Sequence, residues 1–469
     1  MTLLAVGSAG CGGRGNTNAQ SAHVEETPSA RSFVRDSRTL DIALHQPPPD
    51  GRPVVEAQPI YRYAFDVPLA YGHPPLPAIS GELAYVTRLD GVYAFNLASH
   101  RENRIATAGV GAPLYISEDS LVIGSPLNDI TNHVTAIDRF RGTRLWQRTA
   151  RLLGAGMGHV LAVAPVKNND DNASGVFVDI DSASGALKWS HPSSVAGCAA
   201  QGPVTFISGW AILTWAGVCE VSVNEGFLVW VRLSDGSSQY TNDSTAFLDR
   251  RGPLVYLTGD DRHYGEYGPG NYSIFHAATG QKVLTRSINP DRPASDEEAF
   301  TANVQTYALA NALWVGIGNG YRNVFSSAVY RYDIHDTQAP PARVDPAFGH
   351  WLAAARGDET YFEHENALVA VLATSATRAV GVTYAGRLSD AGEAVADDRY
   401  VYVRERGGRI ATFDRVTHRQ VGLVAAACTK LEAVETLDQL RYAICADGST
   451  APGENVSREA LIEFNPASE

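Results

Sequence analysis

The sequence predicts an all-β protein, an eight-bladed β-propeller built of four-stranded antiparallel blades. Three observations predict it. The first is a recurring phrase in which an alternating strand ends in Asp, Gly follows four residues later, and an apolar or aromatic residue four after that. Asp138, Gly142 and Trp146 match it, as do Asp181, Gly185 and Trp189; Arg232, Gly236 and Tyr240, and His276, Gly280 and Leu284, match with substitutions. The second is the spacing of the anchor, which falls on Asn96, Asp138, Asp181, Arg232, His276, Asp333, Asp414 and Asn465. These steps are roughly 40 to 57 residues, with one of about 80, which is the rhythm of blades. The third lies at the ends: only Pro-Ala-Ser-Glu469 follows Asn465, while a spare strand, Ile60-Tyr-Arg-Tyr-Ala-Phe65, precedes the first full unit. Pairing of that N-terminal strand with the C-terminal blade closes the ring and leaves no edge of the blade open.

Taken in chain order, Met1 to Cys11 is a short apolar run leading through small residues to a cysteine. It resembles the lipobox of bacterial lipoproteins, with Ser8 where that family prefers Leu, and implies a signal ending at a lipidated Cys11. Residues 12–58 are polar, with Gln46-Pro-Pro-Pro-Asp50 at their centre, and read as a disordered tether. A flexible tether of about 45 residues spans on the order of 35 to 40 Å. Residues 59–469 are expected to form the propeller.

Within it, Val134-Thr-Ala-Ile-Asp138 and Val176-Phe-Val-Asp-Ile-Asp181 alternate with period two and are rich in β-branched residues. In the turn that follows, the anchor carboxylate or amide caps backbone amides and Gly takes the positive-φ position. A second strand stands upstream of most anchors, as in Leu83-Ala-Tyr-Val-Thr87, Leu121-Val-Ile-Gly124, Leu254-Val-Tyr-Leu-Thr258, Leu313-Trp-Val-Gly-Ile317 and Tyr400-Val-Tyr-Val403. The stretch from Ile334 to Asp398 reads either as a degenerate ninth unit or as an insertion in the seventh, and seven blades follow if one anchor is spurious. Helical periodicity is confined to short pieces near Ala426 to Leu437.

The 43 Gly, 24 Pro and 20 Tyr fit many turns and a strand-rich core. A net charge of −13 argues against nucleic acid, whose phosphates demand clustered Lys and Arg. Apart from Cys11, the cysteines fall into two local pairs, Cys198 with Cys219 and Cys428 with Cys445. Closing loops of this size by disulfides stabilises by roughly 3 kcal/mol and requires an oxidising compartment. Past the leader there is no apolar run long enough to span a bilayer.

The segment Asp90-Gly-Val-Tyr-Ala-Phe-Asn96, together with the Asp, Gly, Trp phrase, resembles the repeat of the pyrroloquinoline-quinone-like β-propellers over roughly residues 60 to 469. The resemblance implies that Trp146 and Trp189 pack between adjacent blades, with different docking where Tyr240 and Leu284 stand. One branch of that superfamily holds the quinone above a calcium ion and catalyses dehydrogenation. The other has no cofactor and includes the lipoprotein scaffold of the outer-membrane β-barrel assembly machinery. The lipobox-like start and tether favour the cofactor-free branch, and no adjacent cysteines or calcium-ligand set point to the other. The expectation is therefore a non-catalytic, monomeric envelope lipoprotein of the outer membrane that binds proteins, with no cofactor and no metal. A quinone- and calcium-dependent dehydrogenase and a surface-exposed adhesion or glycan-binding propeller are the alternatives.

Several further stretches stand out by residue type. Lys167-Asn-Asn-Asp-Asp-Asn172 is oxygen-rich but lacks the Gly and terminal Glu of a calcium loop. The stretch from Asp260 to Tyr272, with His263, Tyr264, Tyr267 and Tyr272, has the Tyr, Gly and Asn mixture of binding loops. Arg404, Arg406, Arg409, Arg415 and Arg419 suit an acidic partner or a solvated blade. Glu363-His364-Glu365, with His350 upstream, has the residue types of a metal site without a spacing that fixes a face.

Overall fold

The computed structural model describes residues 37–45, 54–68, 77–88, 90–107, 112–125, 132–164, 175–193, 204–207, 209–216, 226–240, 247–251, 254–258, 262–263, 266–267, 271–276, 279, 281–287, 302–309, 312–319, 324–336, 339–446 and 456–467. Strands and one short 3-10 turn, Pro346–Phe348, are the regular elements among them. Among the described residues the strands form nine sheets of four or five, built mainly of strands that follow one another in the chain, and one small two-stranded hairpin. In chain order, sheets one to nine span 78–106, 114–149, 151–193, 204–240, 247–287, 302–343, 350–383, 391–424 and 430–464. This is the blade organisation of a propeller.

The sheets pack face to face, and the core lies between them rather than in one mass. Val122, Val134 and Ala136 of sheet two bury against Leu152, Val160, Ala162 and Ile180 of sheet three. Leu161 and Phe177 of sheet three continue against Ala211, Leu213 and Val231 of sheet four. Sheets six, seven, eight and nine are joined in the same way. A cluster of Tyr442, Ile444 and Leu461 with Ala84, Val86 and Phe95 joins sheet nine to sheet one.

Sheet nine is completed from the other end of the chain. Tyr61–Pro68 runs antiparallel to Val456–Phe464, with Tyr61 opposite Glu463 and Pro68 opposite Val456. Phe65 and Val67 are thereby buried against sheet one.

The count of nine is one more than the eight expected. The stretch from Ile334 to Asp398 contains a complete sheet, His350–Arg356, Glu359–His364, Ala367–Ala373 and Arg378–Thr383. Its turn begins at Thr374, midway between Asp333 and Asp414, and Arg378 stands where Gly stands elsewhere. The amides of Thr374 and Ser375 bond to the Arg378 carbonyl, so the turn forms without the phrase. The piece near Ala426 to Leu437, expected to be helical, is a strand, Lys430–Leu437. Its helix-forming residues are overridden by pairing with Leu440–Ala446.

Of the expected tether, residues 12–36 and 46–53 lie outside the described residues, while 37–45 and 54–58 pair with the sheets. Arg38–Thr39 adds in parallel to Ala342–Arg343 of sheet six, and Asp41–His45 adds in parallel to Arg378–Thr383 of sheet seven. Ala57 then bridges to Val424 of sheet eight. Residues 37–45 and 54–58 therefore run along the fourth-strand edges of consecutive sheets. Leu40, 3% exposed, is a core residue between sheets six and seven. Among the described residues of this segment only Leu40 turns fully inward, so a polar composition is compatible with edge strands.

Candidate functional site

The repeat residues build joints between sheets. Asp138 Oδ1 accepts the Phe140 and Arg141 amides, both at 2.9 Å, and Asp181 Oδ1 accepts the Ser184 amide at 2.8 Å. Asn96, Asp333 and Asp414 cap their turns in the same way. Trp146 Nε1 donates to the Ser182 carbonyl at 2.9 Å, and Trp189 Nε1 donates to the Leu233 carbonyl at 2.7 Å, each reaching the next sheet. Gly185 and Gly236 lie under these indoles at positive φ, +71° and +76°, where a Cβ would fall within 2.6 Å of the ring. Where His replaces that Gly, Tyr replaces the Trp contact: His100 stacks on Tyr61 at 4.0 Å, and His418 meets Tyr384 edge to face at 5.0 Å.

Charged pairs serve the same joints. Arg415 of sheet eight reaches Glu359 of sheet seven at 2.8 Å and the Asp397 and Asp398 carbonyls at 3.1 and 2.9 Å. Arg441 of sheet nine donates to Asp397 at 3.1 Å and to the Tyr402 hydroxyl at 2.6 Å. Burial opposes the Asp397 charge, but the Tyr400 amide and Tyr402 hydroxyl outweigh it and hold the carboxyl below its ordinary range. Three of the remaining arginines of this unit are likewise engaged. Arg404 pairs with Glu393, Arg406 with Asp390 and Arg409 with Glu405, while Arg419 lies in the ladder opposite Asp414.

Between sheets seven and eight these joints leave a cleft of about 700 Å³. The loop Gly386 to Asp390 forms one wall, Glu405 and Arg409 a second, Gln420 and Leu423 a third, and Val54 of the N-terminal segment lies across it. Glu405 is 2% exposed, accepts the Ser389 amide at 2.9 Å and pairs with Arg409 at 2.8 Å. Burial nevertheless pushes its carboxyl upward. Beside the cleft, Glu363 is raised by the same burial and accepts the Ala391 amide at 3.3 Å. His350, 3.9 Å from Glu363, is pushed down to about 4 by desolvation, against the pull of Asp390 and Glu393. This half-buried set of polar groups around a loop can orient a ligand through backbone and side-chain hydrogen bonds.

His364 does not join that set, since its ring bonds to the Phe348 carbonyl. Among the described residues, no three His, Cys, Asp or Glu side chains converge as metal ligands. His263 and Tyr267 lie in a two-stranded hairpin, and Tyr272 lies in the ladder opposite Thr258. Cys428 and Cys445 form a disulfide with 5.3 Å between their Cα atoms. Cys11, Cys198, Cys219, Tyr264, Gly280 and the Lys167 to Asn172 loop lie outside the described residues.

Sequence reasoning missed the cleft because its residues stand in the connections between units, which the repeat phrase does not mark. The one available signal was Glu405, an acid closing a strand that opens Tyr-Val-Tyr-Val, Tyr400–Glu405.

No protein-family model and no curated protein matches the chain. Among solved structures it is similar to BamB from Moraxella catarrhalis, at 12% identity and a TM-score of 0.41, covering 75% of this chain and 96% of that one. It is similar to a europium-containing methanol dehydrogenase at 12% identity and a TM-score of 0.46, covering 87% and 93% of the two chains. It is also similar to Saccharomyces cerevisiae Sqt1 at 10% identity and a TM-score of 0.47, covering 88% and 100%. At such values these likenesses assign neither an activity nor a partner.

Proposed function

We propose that this protein is a binding and scaffolding propeller of the bacterial envelope, anchored through lipid on Cys11, and that it performs no catalysis. The observation that carries the reading is the use made of side chains with catalytic chemistry. Glu359 with Arg415, Asp397 with Arg441 and Tyr402, and His100 with Glu463 each bind one sheet to the next. His159 with Asp179 braces the interior of sheet three. Such groups hold a rigid frame, and a rigid frame presents loops and edges for recognition. In this reading the nine sheets are blades of one closed ring, latched by Tyr61–Pro68. The disulfide between Cys428 and Cys445 suits the oxidising compartment that a lipidated Cys11 implies.

Metabolic labelling with an alkyne-bearing fatty acid tests the anchor. The wild-type chain is expected to incorporate the label and the Cys11→Ser variant to lose it; an unlabelled wild-type chain would contradict the reading. Gentle detergent extraction with affinity purification tests the scaffold, which is expected to bring an envelope complex with it rather than emerge alone. Saturating pyrroloquinoline quinone with calcium is expected to leave the melting temperature unchanged, and a rise would favour a dehydrogenase.

A further inference from the structure

The cleft between sheets one and two has a different character from that between seven and eight. It measures about 470 Å³, and Arg101, Arg104, Arg139 and Arg141 are among its lining residues, with no Asp or Glu among them. In a chain of net charge −13 this gathers four basic residues in one place, with Glu102 on the same strand as Arg101 and Arg104. Arg139 is partly committed, to Ser80 and, at 3.7 Å, to Asp119, and Arg104 bonds to the Asp90 carbonyl. Arg141 is 81% exposed and meets only the outer oxygen of Asp138, at 3.9 Å, because the other oxygen holds the turn. Arg101 is exposed on the strand Arg101–Ala106. Between them Phe140 is 62% exposed, with the Arg139 guanidinium 4.5 Å from its ring centre.

The strand beside this cleft is an edge. Among the described residues, Arg101–Ala106 pairs with Gly91–Asn96 and with no other strand. Two of the other edges of this molecule, on sheets six and seven, are covered by added strands from its own N-terminal segment. The edge of sheet one offers the same backbone opening, next to arginines and an exposed aromatic ring.

We propose that an extended acidic segment of a partner protein docks in this cleft along the Arg101–Ala106 edge, with carboxylates on Arg101 and Arg141 and an apolar side chain over Phe140. Main-chain bonds to the edge supply affinity, and the guanidinium groups select and orient the segment. This goes beyond the scaffolding reading, because it names a surface and the chemistry of what it holds.

The test is fluorescence anisotropy on the full chain in detergent, using a labelled twelve-residue peptide of alternating Glu and Val. Saturable binding that weakens with salt is expected, with no binding of the Lys and Val counterpart. Arg101→Glu with Arg141→Glu is expected to weaken binding at least about tenfold at an unchanged melting temperature. Should that pair fail to fold, Arg101→Gln with Arg141→Gln removes the same charges without reversing them. Absence of saturable binding, or binding indifferent to these substitutions, overturns the proposal. So does a preference for phosphatidylglycerol vesicles that the double substitution abolishes, which would give the cleft to a lipid surface. Any of these failures leaves the lipid anchor standing, because that is read by labelling at Cys11.

Discussion

Gly185 shows how much one position must satisfy. It adopts φ +71° and lies beneath Trp146, so a side chain there meets both a strained backbone and an indole of the preceding sheet. Gly81 also has positive φ, +58°, but nothing lies within 4 Å of where its Cβ would be. Gly81→Ala is therefore expected to cost about 1 kcal/mol, from conformation alone. Gly185→Ala is expected to cost about 3 kcal/mol or more, since overpacking adds to it. Chemical denaturation of the two variants separates the contributions, and equal costs would contradict the joint. His350 makes a second prediction. Its folded pKa, about 4, lies below the ordinary value, so the unfolded chain takes up the proton first as pH falls. The stability tied to its neutral form is complete above about pH 6.5, falls by about 2 kcal/mol by pH 5, and levels off below about pH 4. His350→Gln is expected to flatten stability across that window; an unchanged profile would show that His350 is not the titrating group. At this scale the anchors Asp138 and Asp181 were legible because an Asp that caps its own turn acts locally. Thr374, His100 and His418 were not, because each does the work of the phrase with a different residue.

The strands were largely legible from their alternation, and their ownership was not. Nothing in Asp41–His45 distinguishes a strand on sheet seven from a polar leader, because an added edge strand buries little of itself. Leu40 is the exception that tests it. Leu40→Ala is expected to cost about 2 to 3 kcal/mol, as for any core leucine, whereas Leu44→Ala, at a site 42% exposed, is expected to change stability by less than about 0.5 kcal/mol. Thermal melts of both would refute the edge placement if they matched. The disulfide makes the parallel case within sheet nine. Cys428 and Cys445 are separated by 17 residues, and replacing both with Ser is expected to cost about 3 kcal/mol. Addition of a reductant to the wild-type chain should lower its melting temperature to that of the double variant. The pairing was legible because it is local in sequence.

For the whole molecule, the sequence carried the rhythm but one beat too few. The long step between Asp333 and Asp414 hides a sheet whose turn is closed by backbone bonds to Arg378 rather than by Asp and Gly. The cleft between sheets seven and eight and the basic cleft between one and two were likewise invisible, since both arise where connections from neighbouring units meet. The pairing of Tyr61–Pro68 with Val456–Phe464 was legible, because Ile60–Phe65 alternates as a strand that no neighbouring unit in sequence claims. In the structure the segment Tyr61–Pro68 supplies that strand to Val456–Phe464 and packs Phe65 and Val67 onto sheet one. Asp66 and Arg458 stand directly opposite each other in this pair, both exposed. Opposed positions in an antiparallel ladder lie within disulfide range. The most direct measurement is therefore mass spectrometry of the oxidised Asp66→Cys, Arg458→Cys variant after digestion without reduction. A peptide pair linking positions 66 and 458 within one monomer is the predicted result, and unlinked thiols, or links only between separate molecules, would contradict the latched ring.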